Sequence, residues 1–408
     1  MVKKALRLFL LAILLMMIFN LSPFNIPSDK SRYDQSKIYF SETEKEFGLN
    51  TYGQNDIGMG MTSYHNDMIL LNETETAFEL LISEIEKADM SINMEFYIIR
   101  NDKTGETFKK VLIKKAKQGV EVRLLYDAWG SGLTPRSYFT DLRKNGVKVA
   151  PYNPLLSSFW QGRLCNRLHR KMIIIDGKKA FIGGENIGDE YLGKDEKNGY
   201  WKDMGIIFSG DAALSIQQVF FNDWLQSRSE KVADKKFYPS FPSKTNETVK
   251  IIVGGPDSPL TDMSLPYIRL ITSAKDKILM ISPYFLPNTA ILEALHQAAE
   301  RNVEIHLILP SKSDSKIARI TQPFYINNLL KHGIKVSTYD RGFIHSKVML
   351  IDNDVASVGT ANLEILSFWK NYEVNSIVYD KEIIQQLQND FMNDLKYSTT
   401  KIFQHTNI

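Results

Sequence analysis

LHRKMIIIDGKKAFIGGENIGDE, residues 168–190, and IHSKVMLIDNDVASVGTANLE, residues 344–364, are the two stretches on which the reading of this chain turns. Counting from His169 places Lys171 at +2, Asp176 at +7, Gly183 at +14, Gly184 at +15 and Asn186 at +17. Counting from His345 places Lys347, Asp352, Gly359, Thr360 and Asn362 at the same offsets. On a strand, residues i and i+2 share a face, so each His–Lys pair points to one side. The apolar runs MIII and VMLI continue a buried strand. The glycines then make a turn that brings the Asn back toward the His.

The repetition extends outward from these stretches. AKQGVEVRLLYD (116–127) matches AERNVEIHLILPS (299–311), and DLRKNGVKV (141–149) matches NLLKHGIKV (328–336) at an offset of 187. ADMSINM (88–94) resembles AKDKILM (274–280) at an offset of 186. Repeats on this scale indicate duplication. Each half reads β–α–β–α–β. Strands are predicted at Ile92–Ile99 and Glu121–Tyr126, and at Ile278–Phe285 and Glu304–Leu309. Amphipathic helices lie between them at Thr107–Lys117 and Thr289–Arg301. Alternating strands and helices predict a mostly parallel sheet covered by helices in each half. The Lys-, Ser- and Pro-containing stretch Ser227–Glu247 is the natural boundary. It divides the chain into a repeat over 65–228, a linker over 229–247 and a repeat over 248–408.

Before residue 65 the sequence changes character. After Lys3 and Lys4, Leu8–Phe19 reads LFLLAILLMMIF, and residues 1–22 are expected to form an uncleaved single-pass membrane anchor, the run of 12 also fitting the apolar core of a signal segment. Basic residues lie on both sides of it, so its orientation is left open. Residues 23–64 read as a tether.

Composition excludes several alternatives. At 408 residues with 43% hydrophobic and 24% charged residues, the chain has the profile of packed globular domains. Its 50 Lys+Arg against 47 Asp+Glu give a net charge of +3, with no basic stripe to expect nucleic acid. One cysteine, Cys165, precludes an internal disulfide framework. The seven scattered histidines show no metal-ligand spacing, so neither a metal nor another cofactor is expected. No obligate protein partner is evident.

Two copies of H-x-K-x-x-x-x-D with a trailing G-G/T-x-N identify the chain as resembling the phospholipase D superfamily. The resemblance implies a duplicated α/β fold with one active site at a pseudo-twofold interface. Its candidate catalytic set is His169, Lys171, Asp176, His345, Lys347 and Asp352. One imidazole would attack phosphorus and the other would protonate the departing alkoxide. The lysines, with Asn186 and Asn362, would hold the phosphoryl oxygens. Thr360 would add a hydroxyl donor and Gly184 a backbone N–H. The aspartates sit near turns and read as supporting groups. Each imidazole needs an acceptor to fix its tautomer. Glu373, 28 residues after His345, occupies the superfamily's place for such a carboxylate, and Asp203 of GYWKDMGII is the counterpart in the first half.

EFYIIRNDKTG (95–105), LLYDAWGSG (124–132), GGENIGDEYLG (183–193), SPYFLPN (282–288) and LPSKSDS (309–315) are further similar to bacterial cardiolipin synthases, in particular the shorter members. That similarity implies a membrane enzyme that joins two phosphatidylglycerol molecules into cardiolipin and releases glycerol. A hydrolase releasing phosphatidic acid and a membrane-tethered nuclease use the same motif. Two positions depart from the family: Leu366–Ser367 stands in place of Arg–Ser, and Leu168 in place of Asn before the first His. LLSSFWQGRLC (155–165) reads either as a lid or membrane-facing loop or as an ordinary packed loop.

Overall fold

The computed structural model describes residues 53–402, apart from 56–57, 161, 196–198, 229, 233, 240–244 and 257–261. The proposed anchor lies outside the described residues. Among the described residues no helix is long and apolar enough to cross a membrane.

The duplication is exact at the level of strand order. In the first copy, seven strands run in the order Asn66–Leu71, Gly205–Gly210, Lys179–Gly183, Met172–Ile175, Ser91–Phe96, Glu121–Asp127, Lys148–Tyr152. In the second, the order is Val249–Gly254, Glu373–Val378, Val355–Gly359, Val348–Ile351, Lys277–Ile281, Glu304–Pro310, Lys335–Tyr339. Three further strands extend the second sheet to ten. Gly58–Ser63 pairs antiparallel with Val249–Gly254 and carries Gly53–Asn55 on its outer edge, while Ser398–Thr400 closes the other side. Residues 53–63, expected to be tether, thus include two strands. Their register on Val249–Gly254 places Met61, which is buried, opposite Ile251.

The expectation of mostly parallel sheets is corrected. In each copy only the three strands of the β–α–β–α–β unit are parallel, and the other neighbours are antiparallel. The reason is connection length. A parallel crossover needs a dozen or more residues. The motif strand Met172–Ile175 instead reaches Lys179–Gly183 through Asp176, Gly177 and Lys178 alone, with positive φ at Asp176 and Gly177. That hairpin docks antiparallel on Ser91–Phe96.

The apolar runs are buried on both faces, as their lack of alternation requires. Met172 and Ile174 face a core shared by both copies, whereas Ile173 and Ile175 face one built from the first copy. Val348 and Leu350 face the shared core, and Met349 and Ile351 that of the second copy. The helix Asp211–Arg228 enters the shared core with Ile216, Phe220 and Trp224 buried. The two halves are therefore fused by a common interior.

Candidate active site

Both motif strands begin at the end of the sheets where the parallel strands finish, and there the chains of the two halves cross. Leu168 bridges Tyr372 in parallel, and His169 N–H donates to the Tyr372 carbonyl at 2.9 Å. In the other half, Gly342–Ile344 pairs in parallel with Tyr200–Lys202, and His345 N–H donates to the Lys202 carbonyl at 2.7 Å. Each histidine is thus set beside the residue preceding the other half's carboxylate.

The side chains follow the backbone. His169 Nδ1 lies 3.0 Å from Glu373 Oε2 and 2.9 Å from Oε1. His345 Nδ1 lies 2.5 Å from Asp203 Oδ2. Both carboxylates are those the sequence nominates, but they are exchanged between halves: Glu373 serves His169, and Asp203 serves His345. With Nδ1–H committed to a carboxylate, Nε2 is the ring nitrogen left for chemistry.

The lysines are buried in the same space. Lys171 Nζ donates to the His169 carbonyl at 2.5 Å, and Lys347 Nζ donates to the His345 carbonyl. Lys347 Nζ also lies 2.8 Å from His345 Nδ1. Burial pushes the Lys171 ammonium down to about 7 despite Glu373, with Lys347 adding to the fall. Lys347 is lowered chiefly by burial as well. Burial, then Lys347, lowers His345 to about 4, and Asp203 only partly offsets this. His169 is lowered by burial against the pull of Glu373. Both rings are therefore neutral near pH 7. Burial alone would raise Glu373, but His169, Lys171 and Thr360 together hold it below the usual carboxylate range.

The supporting residues differ from expectation in two places. Thr360 Oγ1 donates to Glu373 Oε2 at 2.6 Å, so its hydroxyl positions the carboxylate and is not aimed at a phosphoryl oxygen. The Gly184 N–H donates to the Met204 carbonyl at 3.1 Å and is likewise committed. What Gly184 supplies is room: a Cβ there would stand 2.1 Å from Asp203 Oδ1. Asn186 Oδ1 accepts Ile98 N–H at 3.0 Å. Asn362 donates through Nδ2 to Glu364 Oε1 at 2.8 Å, and its Oδ1 is buried with no partner among the described residues.

Asp176 and Asp352 stand at the far end of the motif strands and touch neither imidazole. Asp176 accepts the N–H groups of Asp89, Met90 and Ser91 at 2.8–3.0 Å. Asp352 accepts those of Lys275, Asp276 and Lys277, with shortest contacts of 3.1, 2.8 and 2.9 Å. Each pins its motif hairpin to the start of the neighbouring strand.

Several residues at the site went unnoticed in the sequence. Ser367 Oγ donates to Glu373 Oε1 at 2.7 Å. Arg170, between His169 and Lys171, crosses to the second half, donating to the Glu373 carbonyl at 3.1 Å and the Gly254 carbonyl at 3.0 Å while pairing with Asp223. Tyr97 lies edge-on to His169 with centroids 5.1 Å apart, and Trp201 stands 5.1 Å from His345. Glu185 is buried beside Asp203, and burial first, then that neighbour, raises it well above the carboxylate range. Ser367 is named in the sequence only as part of a departure from the family, and Tyr97, Arg170 and Glu185 lie within quoted stretches whose spacing assigns them no contact.

The chain is similar to known proteins along both copies. The family model described as "Cardiolipin synthase, PLD-like domain" matches residues 81–224 and 267–395, one segment per copy. A cardiolipin synthase of Geobacillus thermodenitrificans is 39% identical over 345 residues, covering 84% of this chain and 69% of the relative. One from Listeria innocua is 39% identical over 332 residues, covering 81% and 69%. The fold is similar to that of a phosphatidylserine synthase from Haemophilus influenzae, with a TM-score of 0.63 at 14% identity over 88% of this chain and 91% of that one. A polyphosphate kinase from Porphyromonas gingivalis shares it at a TM-score of 0.55 and 13% identity, over 84% of this chain and 50% of that one. A matched segment in each copy, together with relatives of this identity and coverage, establishes that the chain belongs to the cardiolipin synthase family of phospholipase D-like proteins.

Proposed function

We propose that this protein is a membrane-anchored phosphatidyltransferase that makes cardiolipin from two phosphatidylglycerol molecules through a covalent phosphohistidine. The observation that carries the reading is the pair of imidazoles, each with Nδ1 held by a carboxylate of the opposite half and Nε2 left to react. Family membership supplies the lipid class.

In the first step, Nε2 of one histidine forms a bond to phosphorus as the bond from phosphorus to the headgroup glycerol oxygen breaks. The second imidazole, entering as imidazolium, gives its proton to that oxygen, and glycerol leaves. In the second step, the headgroup hydroxyl of another phosphatidylglycerol passes its proton to the second imidazole. Its oxygen bonds to phosphorus, and the N–P bond breaks. Lys171 and Lys347 supply positive charge where the phosphoryl oxygens gather negative charge, in a buried site where that attraction is strong. The phosphodiester itself favours the protonated lysines and the imidazolium that burial alone disfavours. Asn362, oriented by Glu364, and Asn186, oriented by Ile98, complete the phosphate cradle. The apolar stretch Leu8–Phe19 supports a single-pass anchor in the cell membrane.

The test is to give the purified full chain phosphatidylglycerol vesicles and measure the products. Cardiolipin and glycerol in equal amounts are expected. Phosphatidic acid and glycerol without cardiolipin would replace the synthase reading with a hydrolase.

A further inference from the structure

The rim at the end of the sheets where His169 and His345 sit differs from the rest of the surface. Three segments emerge where the parallel strands end, the same end at which His169 and His345 sit: residues 128–136 after Glu121–Asp127, residues 154–167 after Lys148–Tyr152, and residues 311–324 after Glu304–Pro310. Their large apolar side chains face outward. Leu133 is 84% exposed, Leu156 74%, Trp160 78%, Ile320 80% and Phe324 75%.

The helix Lys316–Lys331 shows that this is not a packing remainder. Ala318, Gln322 and Leu329 are its buried residues, so its inward face is occupied. Ile317, Ile320 and Phe324, spaced i, i+3, i+7, form a second apolar stripe on the outside, where charged residues would normally stand. The charges present are one-sided. Arg136, Arg163, Lys312, Lys316 and Arg319 are the cations that reach the surface of the three segments, Arg167 being buried against Asp127, and the one acid is Asp314, which accepts the Tyr284 hydroxyl at 2.6 Å. The chain as a whole is nearly balanced, at 50 basic to 47 acidic residues. Exposed Trp, Leu, Ile and Phe interleaved with Lys and Arg suit the interface of an anionic bilayer, which takes up both. The rim also joins the two halves: the Arg167 carbonyl, at the end of the second segment, accepts the N–H of Tyr372 at 2.8 Å, three residues after the short helix Ile365–Trp369.

We infer that this rim is a docking surface for an anionic lipid bilayer, which seats the His169–His345 end of the sheets on the membrane so that phospholipids enter from the leaflet. The inference rests on the lipid-substrate reading and adds to it the surface and orientation of contact. The anchor alone would tether the chain without fixing which face meets the lipid.

The experiment uses the full chain with Cys165→Ser. An environment-sensitive fluorophore is placed at Trp160→Cys, at Phe324→Cys or, as a control, at Lys178→Cys in the exposed turn at the opposite end of the motif strand. Vesicles of phosphatidylglycerol carry nitroxide lipids as quenchers, and cardiolipin formation is measured in the same samples. Probes at 160 and 324 should lose about half their emission or more, less on phosphatidylcholine vesicles, while the probe at 178 is unaffected. Cardiolipin formation without quenching at 160 and 324 would overturn the docking surface and leave the transferase reading standing. Equal quenching at all three positions would also overturn it, as would a shift at 160 and 324 that grows with protein concentration in the absence of lipid, which marks contact between copies. Selective quenching without cardiolipin would contradict the transferase reading alone.

Discussion

The two copies of the repeat place His, Lys and Asn at the same offsets but support them by different means. The first copy contributes Gly184 and a short carboxylate, Asp203, whose Oδ1 fills the space a Cβ at 184 would need. The second contributes Thr360 and a longer carboxylate, Glu373, held by Thr360, Ser367 and, at 3.4 Å, Asn371. Because the chains cross, the well-braced Glu373 steadies the first histidine, and Asp203 steadies the second. An internal duplication can thus keep its reacting groups symmetric while the surrounding shell diverges. The shell is also where the halves depend on each other. Arg170 of the first copy grips the backbone of Glu373, so neither copy holds a complete site.

Substitutions can break this comparison at graded depth. His169→Ala and His345→Ala should each lower cardiolipin formation by about 10³-fold or more, and the double variant should be little worse, since groups acting as a unit are not additive. A single variant retaining near-normal turnover would end the two-histidine account. Glu373→Gln and Asp203→Asn keep shape but lose the negative charge and replace one acceptor oxygen by an N–H donor, so the imidazole tautomer is no longer fixed, and a fall of about 10²–10⁴ in kcat is expected for each. Gly184→Ala tests the space argument: it should displace Asp203 and cost activity about as much as Asp203→Asn, whereas Thr360→Ala, at the matching position, should cost only about ten-fold, the worth of one hydrogen bond to a charged group. Equal effects at 184 and 360 would show that the copies are not supported differently.

The smallest effect is in pH dependence. Lys171 is pushed down to about 7 by burial, and an anionic phosphodiester binds its protonated form better. The apparent KM for phosphatidylglycerol should therefore rise with pH above about 7, and Lys171→Arg, which stays charged, should flatten that rise. A KM independent of pH in the unmodified enzyme would contradict the lysine's place in binding.

Much of this was legible from residues alone, and the exceptions have physical causes. Fixed offsets from His169 and His345 locate the reacting groups because a strand's period of two sets which side chains share a face. The same periodicity says nothing about which neighbour a strand pairs with. The sheets were expected to be mostly parallel because helices alternate with strands, while the tight turn at Asp176 and Gly177 adds an antiparallel hairpin that pattern alone does not place. Strand Gly58–Ser63 escaped notice because its alternation is only two methionines long and is set among glycines, which have little preference for strands, although the edge of Val249–Gly254 holds it. Glu373 and Asp203 could be nominated as carboxylates preceding strands, but their exchange between halves depends on the Leu168–Tyr372 and Ile344–Lys202 pairings, which are contacts between distant segments. Thr360 is recognisable as a hydroxyl near the site, but only the fold shows that it faces Glu373.

The exchange of carboxylates is the central claim, and histidine-selective 15N NMR of the full chain tests it most directly. In Glu373→Gln, the Nδ1 resonance of His169 should move and that of His345 should hold its position; in Asp203→Asn, the pattern should reverse. If Glu373→Gln instead shifted His345 and left His169 unchanged, each half would keep its own carboxylate, and the crossed site described here would be wrong.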